Sequence, residues 1–591
     1  MKLKLISPAE QDPQLRHSKR ELKAFWFPRL SLVAVAALTS PEVEVSIIDE
    51  NVETIDFNER VDLVGISAMT FSAPRAYEIA DRFRARGVKV VLGGIHPSTL
   101  PHEAIQHADA VVIGEAEALW PSLIEDFRRG RMKRFYRSAQ PTPLDGLPVP
   151  RRDLLNAKAY KTINSVQTTR GCPFNCDFCS VTEFFGRIYR RRPVAEVIRE
   201  VEGLEGKFVI FIDDNIVGNR QYALKLFKAL KPLKKRWGSQ ATINMAKDEQ
   251  LLRAAADCGC SSLFVGIESL SQESLKSVGK SINRVDEFEG AIETFHDYGI
   301  GVNAAFIFGF DHDDEGIFGE TVDFCLRNDV DVATFHILTP LPGTQLYRRL
   351  EAEGRIIERD WSKYNGSHVV FQPKLMSPHV LEEGYYWAYH TLYSVGSILR
   401  RLGHRPYGQI FGRISLNRGY RRLVLRAPEG AITPLAGLLN RLRETVPSIE
   451  REGLIPVGWA AAKREVGHAI ETVGQFLKIQ ARKKEGIQGL IFDLEGILDR
   501  ATVKALLEKV QCALREGQRT VVINFKGVRY ISPKALNVLH LQRKSAMEKY
   551  RERIVLLNLS SRAKEIIGRL SPFRTVDCEM DLLQSVAAVP E

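Results

Sequence analysis

No stretch of this sequence is long and apolar enough to cross a bilayer. The most apolar early run, LSLVAVAAL after Arg29, falls well short of the roughly 20 residues a spanning helix needs, and it lies too deep to act as a secretion signal. Low-complexity tracts are also missing, so 44% hydrophobic and 26% charged residues describe a chain that folds around ordinary cores. Cysteine is scarce: eight in 591 residues are too few for a disulfide scaffold and read as buried thiols or metal ligands. These absences predict a cytoplasmic, folded protein with at most a peripheral membrane contact. One core cannot serve a chain of this length, and about three to five domains are expected.

The net charge of +11 suggests nucleic acid only until it is located. Between Arg400 and Glu485 there are 17 Lys and Arg, 7 Glu and no Asp, a local surplus that accounts for nearly all of the net charge. One basic face of this kind fits an anionic lipid surface, a phosphorylated substrate, a partner or a merely solvated helical surface. No nucleic-acid partner is expected.

The first 130 or so residues repeat a short apolar run followed by a helical stretch: KLKLIS, VEVSIID, VDLVGIS, VKVVLGG and ADAVVIG. Near-continuous Val/Ile/Leu runs of this type are buried parallel strands separated by crossovers. Small and turn-forming residues collect at the strand ends, in SAMTFSAP, GGIHPS and GEAE, where an open α/β sheet places its ligand. The candidates there are the turn at Phe71 and Ser72, with Gly93, Gly94 and Gly114. The proline-rich PTPLDGLPVPRRD reads as a linker. From about Tyr160 six further strand and helix units follow, INSVQTTR, FVIFIDDN, QATINMA, SLFVGIES, VNAAFIFGF and VATFHILTP, which predict a partial (β/α)6 barrel of the TIM type. Polar residues gather at the carboxyl ends of its strands: Asp213, Asp214, Asn215, Asn244, Glu268, Ser269 and Asp311. The expected fold class is therefore α/β: a Rossmann-like domain over residues 1–145, the barrel over 158–375, a basic helical extension over 376–485, and an α/β domain over 486–591.

In GCPFNCDFCS, on the loop after the first barrel strand, Cys172, Cys176 and Cys179 can converge on one site, and thiolates favour iron–sulfur clusters or zinc. A structural zinc normally takes four protein ligands, and the next cysteines, Cys258 and Cys260, lie nearly eighty residues away. Three thiolates on a cubane leave one iron open to an external ligand. Cys258, Cys260, Cys325, Cys512 and Cys578 are expected to be core thiols.

These spacings, with an aromatic Phe178 before the last cysteine, resemble the radical S-adenosylmethionine superfamily. The resemblance implies a [4Fe–4S] cluster whose open iron chelates S-adenosylmethionine, and a 5′-deoxyadenosyl radical that takes a hydrogen atom from substrate. It also implies a low-potential electron donor such as flavodoxin or ferredoxin. By the same resemblance FIDDN, with Asp213 and Asp214, lies where the methionine amino group is contacted, and GIES, with Glu268, where the ribose or carboxylate is reached; Asn244 is a further candidate. The bland alternatives are that the aspartates cap a helix and that Glu268 pairs with a cation.

The amino-terminal domain, through VVLGGIHPSTLP and ADAVVIGEAEALWPSLIEDF, is similar to the cobalamin-binding subclass, over roughly the first 425 residues. The Asp-x-His-x-x-Gly element that supplies a lower cobalt ligand in cobalamin mutases is absent, and His96 is expected to be a loop residue held by backbone hydrogen bonds. FFGRIYRRRP, FIDDNIVGN and LTPLPGTQLYRRLEAEGRI resemble the branch that contains the hopanoid C-2 methylase. That implies methylation of an unactivated carbon of an apolar, lipid or isoprenoid-like small molecule, or alternatively a cyclisation or rearrangement. VVINFKGVRYISPKALNVLHL resembles a STAS domain, with Lys534 where phosphorylated members carry serine and Ser532 two residues earlier. Such a domain implies a protein partner; a reading from another class is a redox-sensing regulator with the STAS domain as output.

Overall fold

The computed structural model describes residues 1–10, 27–138, 140–402 and 416–421, together with four strands and a few helical residues of the carboxyl-terminal part. The chain divides into two compact units, Met1–Glu450 and Arg451–Glu591. Among the described residues no helix is long and apolar enough to cross a membrane.

The first unit opens with a six-stranded parallel sheet: β1 (Lys2–Ser7), β2 (Glu44–Asp49), β3 (Leu63–Ser67), β4 (Lys89–Gly93), β5 (Ala110–Ile113) and β6 (Phe135–Arg137), in the order β2-β1-β3-β4-β5-β6. The order reverses between β1 and β3, the switch point at which open α/β sheets bind ligands beyond the strand ends. Both faces are covered, which explains the uninterrupted apolar runs. On one face Ile6, Val64, Ile66 and Leu92 pack against Ala76, Ile79, Ala80 and Phe83 of helix Ala73–Arg84; on the other Leu3, Leu5, Leu63 and Val91 pack with Trp120, Leu123 and Ile124. Gly65 sits where a Cβ would approach Leu5 to 2.9 Å and Trp120 to 3.3 Å, so its missing side chain permits the close packing of that layer.

After β6 the chain crosses to a second parallel sheet, β7 (Ser165–Val166), β10 (Phe208–Phe211), β11 (Arg236–Ala241), β12 (Cys260–Glu268), β13 (Gly301–Phe308) and β14 (Val332–Ile337), in spatial order β14-β13-β12-β11-β10-β7. All six expected barrel strands form, with a helix after each of β10 to β14. A two-stranded antiparallel pair, β8 (Thr169–Arg170) with β9 (Arg190–Arg191), brackets the cysteine loop. The outward residues of each strand, such as Val209, Phe211, Leu263, Val265, Phe306 and Phe335, form a core with the surrounding helices. Helix Pro378–Leu392 closes the far side of β14, where the Tyr389 hydroxyl accepts from Phe335 N at 3.0 Å and donates to Phe335 O at 3.0 Å. Buried Arg401 donates to Val330 O (2.7 Å) and to Asn417 Oδ1 (2.9 Å), and Asn417 donates to Asp331 O (2.9 Å). This knot fixes the short helical segment 416–421 at the amino-terminal end of the barrel.

In the second unit β15 (Leu477–Arg482), β16 (Leu490–Leu498), β17 (Thr520–Ile531) and β18 (Arg553–Leu557) make one sheet, antiparallel at β15/β16 and parallel elsewhere. β15 falls inside the stretch expected to be a basic helical extension. LKIQAR alternates apolar and polar residues, a strand period that its surrounding positive charge obscures. Lys534, Ser532, Cys512 and Cys578 lie outside the described residues.

Candidate active site

Strand β7 leads through Thr168 into β8, and Gly171 turns the chain into the cysteine loop. Gly171 has φ +84°, and a Cβ there would strike Ile188 O, so only glycine can make this turn. The loop is held from the far side by Gly279, also at positive φ, where a Cβ would lie 2.9 Å from Asn175 O, and by Asp177 N donating to Val278 O at 3.1 Å. Cys172, Cys176 and Cys179 are all free and half-buried, and each thiol lies within electrostatic reach of another of the three. Burial pushes all three thiols up, Cys176 to about 12. No three His, Cys, Asp or Glu side chains among the described residues stand close enough together for a single metal ion. Three thiols gathered on one loop supply three corners of a cubane and leave one iron open, whereas a structural zinc normally takes four protein ligands.

Asp213 has a different role from the cofactor contact expected of it. It is completely buried and accepts from Thr168 N (2.8 Å), Thr168 Oγ1 (3.1 Å), Thr169 Oγ1 (2.9 Å) and Thr169 N, so its carboxylate has no face left for a ligand. Burial raises its carboxyl to about 6, against the lowering effect of these four bonds. Its work is to lock β8 in front of the cysteines. Asp214 accepts from Gly171 N at 3.0 Å and so fixes the same turn one residue later. Glu268, at φ +70° after a bulge in β12, folds back over Gly266 and pairs with Lys280 Nζ at 2.6 Å. Burial alone would lower Lys280, but Glu268 and the neighbouring Cys176 and Cys179 more than offset it, so the ammonium stays charged beside the thiols. Asn244 reaches Ile282 O at 3.4 Å, and Phe178 packs on Phe310 at 6.2 Å between ring centroids.

In the first sheet Gly93, Gly94 and Gly114 all line one large cavity. Gly94, at φ +99°, would carry a Cβ 2.5 Å from Ala68 O, and Gly114 N accepts its fixed position by donating to Ser98 Oγ at 2.9 Å. The Phe71 and Ser72 turn does not reach the cavity. Ser72 is buried and bonded to Met69 N at 3.1 Å, and Ser67, Ala68 and Met69 line the cavity in its place. His96 is buried, yet its partner is a side chain rather than backbone: Nε2 lies 3.1 Å from Glu103 Oε1, and the ring meets Trp361 edge-on at 5.4 Å. Glu103 also accepts from Tyr77 (2.8 Å) and Trp361 (3.2 Å), so this cluster ties the segment after the barrel to the first domain.

Residues that the sequence did not single out join the two domains around the cysteine loop. Arg170 binds Glu115 at 2.6 Å and also Glu117, while Arg190 binds Glu115 at 2.7 Å and donates to Thr142 O at 2.6 Å. The GEAE carboxylates, which sequence reasoning placed at a ligand crevice, are thus consumed by the arginines on either side of the cysteines. Beneath them buried Glu200 pairs with Arg192 at 2.6 Å and with Arg152 of the linker, which anchors the crossover to helix Val194–Glu202. Asp311, a barrel-end residue, is held at about 2 by Arg355, Lys374 and Arg349 against the effect of burial. Cys258, Cys260 and Cys325 are buried thiols.

The cavity, of about 1470 Å³, runs from the ends of β3, β4 and β5 into the barrel, past Gln167, Arg170, Phe184 and Phe185. Among the described residues no histidine lines it. The small residues Ala68, Gly94 and Gly114 at its strand-end wall would leave room for a cobalamin.

Comparison with known proteins agrees with this geometry. Residues 166–325 match the Radical SAM superfamily, 23–124 the B12 binding domain, 344–406 a domain of unknown function (DUF4070) and 478–584 the STAS domain. Bacteriochlorophyllide d C-12(1)-methyltransferase of Chlorobaculum tepidum is 33% identical over 408 residues, covering 67% of this chain and 89% of that protein. The hopanoid C-2 methylase of Rhodopseudomonas palustris is 29% identical, covering 57% and 67%, and an anaerobic magnesium-protoporphyrin IX monomethyl ester cyclase of Rubrivivax gelatinosus is 27% identical, covering 55% and 63%. The solved radical S-adenosylmethionine methyltransferase TsrM of Kitasatospora setae shares the fold, with a TM-score of 0.51 at 17% identity over 73% of this chain and 99% of that one. The cofactors of such proteins are a [4Fe–4S] cluster, S-adenosylmethionine and cobalamin, and this chain, which adds a STAS domain, belongs to the family of cobalamin-dependent radical S-adenosylmethionine methyltransferases.

Proposed function

We propose that this enzyme methylates an unactivated carbon of an apolar, ring- or isoprenoid-like small molecule. The single observation that carries the reading is the cavity, which joins the strand-end glycines of the first domain to the barrel interior and is walled by Met69, Ile95, Phe184, Phe185, Ile212 and Phe264. When bound, the cluster delivers the electron that cleaves S-adenosylmethionine, and cobalamin carries the methyl group. The chain's own residues set the geometry. Cys172, Cys176 and Cys179 hold the cluster; Asp213 and Asp214 fix the strand and turn before them; Lys280, kept cationic by Glu268, lies over the anionic thiolates. Arg170 and Arg190, through Glu115 and Glu117, hold the cobalamin-side loops against the cluster-side loop. A flavodoxin or ferredoxin supplies the electron, and the STAS domain recruits a protein partner.

The test is anaerobic incubation of the holoenzyme with a lipid extract and S-adenosylmethionine labelled in its methyl group. The expected result is label in an organic-soluble product together with 5′-deoxyadenosine. 5′-Deoxyadenosine with an altered but unlabelled product would favour the cyclisation that the protoporphyrin relative suggests. Label confined to water-soluble products would sink the apolar-substrate reading.

A further inference from the structure

The barrel interior is unusually empty. In a full TIM barrel the inward positions of adjacent strands fill the axis with bulky branched side chains, layer upon layer. Here the register places Ser165 beside Ile210, Ile210 beside Gly238, Gly238 beside Ser262 and Ser262 beside Gly301, so four of five residues in this layer are glycine or serine. The cavity therefore continues down the axis, past Gly238 and Ser262, to Gly259 and Gly299 at the amino-terminal ends of the strands, opposite the cysteine loop.

This lower end has the features of a built site. Asn303, one layer nearer the cysteine loop, lines the cavity just above it; its side chain is hydrogen-bonded to the Tyr420 hydroxyl, and its Oδ1 is buried with no donor. Two large apolar side chains at its rim are exposed, Phe208 at 39% and Leu416 at 37%. Arg236 and Lys161 stand at the same rim, exposed, with no carboxylate paired to either among the described residues. Segment 416–421 is held at this rim by the Arg401–Asn417 knot, so the rim is a fixed part of the fold.

We propose that the lower barrel is a second binding region that takes an apolar chain ending in an anionic group, with the chain along the axis and the anion at Arg236 and Lys161. It rests on the apolar-substrate reading above and extends it: the substrate, or a bound amphiphile, is long enough to run from the cluster end of the barrel to its opposite mouth.

The probe is dansyl-undecanoate, titrated by fluorescence into the anaerobic holoenzyme, with its methyl ester as the neutral control. Wild type should bind both. Ser262→Phe and Gly238→Leu, which fill the hollow layer, should each weaken both probes by about tenfold or more, a loss of about 1.4 kcal/mol. Arg236→Glu should weaken the carboxylate several-fold and leave the ester alone. Iron content equal to wild type certifies that a variant is folded; if both filled variants lose iron, the Arg236→Glu contrast decides. Absence of binding by wild type, equal binding by a folded Ser262→Phe, or an Arg236→Glu loss shared by the ester would each overturn the inference. Failure of wild type to transfer a methyl group, with probe binding intact, would count against the methylation reading and leave this one standing.

Discussion

The two parallel sheets of the first unit solve the same problem with opposite interiors. In the first, Leu3, Leu5, Val64, Ile66, Val91 and Leu92 fill both faces, and even Gly65 serves to let Trp120 and Leu5 close on the strand. In the second, the outward faces are as tightly packed, with Leu263, Val265, Phe306 and Phe335 all at 0% exposure, but the inward faces carry Gly238, Ser262 and Gly301 and stay hollow. The first sheet therefore offers a ligand only its rim, while the second offers its axis. The difference also appears in the charges. The rim of the first sheet contributes carboxylates, Glu115 and Glu117, and the segments on either side of the cysteines contribute the two guanidiniums, of Arg170 and Arg190, that pair with them.

The largest effect is expected at Asp213. Replacing it with alanine strands four buried donors on the strand before the cysteines, and at about 1–3 kcal/mol for each unsatisfied group the variant should lose more than about 4 kcal/mol of stability and fail to load iron. Anaerobic thermal unfolding and iron analysis measure both, and normal iron loading in Asp213→Ala would show that the clamp is dispensable. Arg170→Ala leaves half-buried Glu117 without its partner and Glu115 with Arg190 and the Thr142 N–H, at a cost of about 3 kcal/mol. Cobalamin retention after gel filtration should fall with it, while Arg170→Lys, which restores charge without the forked geometry, should recover only part.

His96→Ala removes a ring that touches Glu103 and Trp361 but no cavity wall, so the cobalt spectrum should be unchanged while stability falls modestly. A shifted spectrum would place the histidine under the cobalt. The smallest effect is expected from the carboxyl-terminal unit. Because β15 belongs to its sheet, the cut belongs before Leu477, and removal from there onward should leave S-adenosylmethionine cleavage at the wild-type rate while weakening partner recruitment or solubility. Lys534→Glu should reproduce part of that loss. Because Lys534, which stands where phosphorylated members carry serine, cannot be phosphorylated as serine is, docking is expected to be independent of phosphorylation, and a measured change in binding on phosphorylation of Ser532 would contradict that.

Much of this was legible in the sequence, for physical reasons. Buried parallel strands cannot avoid apolar runs, so VDLVGIS, FVIFIDDN and VNAAFIFGF identify themselves, and the three cysteines mark their loop by spacing alone. What stayed hidden depends on partners distant in the chain. Arg170 and Glu115 are 55 residues apart, and nothing local tells a clasp from a ligand-binding carboxylate. Asp213 reads as a barrel-end acid whether it faces a cofactor or, as here, the backbone of Thr168 and Thr169. Glu268 turned out to pair with Lys280, the bland alternative for it. The hollow axis lay in plain view as alternating small residues, Gly238, Ser262 and Gly301, but reading it needs the register between strands, which periodicity along one strand does not supply.

The proposed function requires three thiolates on one loop to carry a cluster with an open iron that cleaves S-adenosylmethionine. Anaerobic reconstitution of the wild type and of Cys176→Ala, followed by iron analysis and incubation with S-adenosylmethionine and a low-potential reductant, tests it most directly. Wild type should hold about four irons per chain and release 5′-deoxyadenosine, and Cys176→Ala should lose both. A full cluster, or undiminished 5′-deoxyadenosine, in a variant lacking Cys172, Cys176 and Cys179 together would contradict the account.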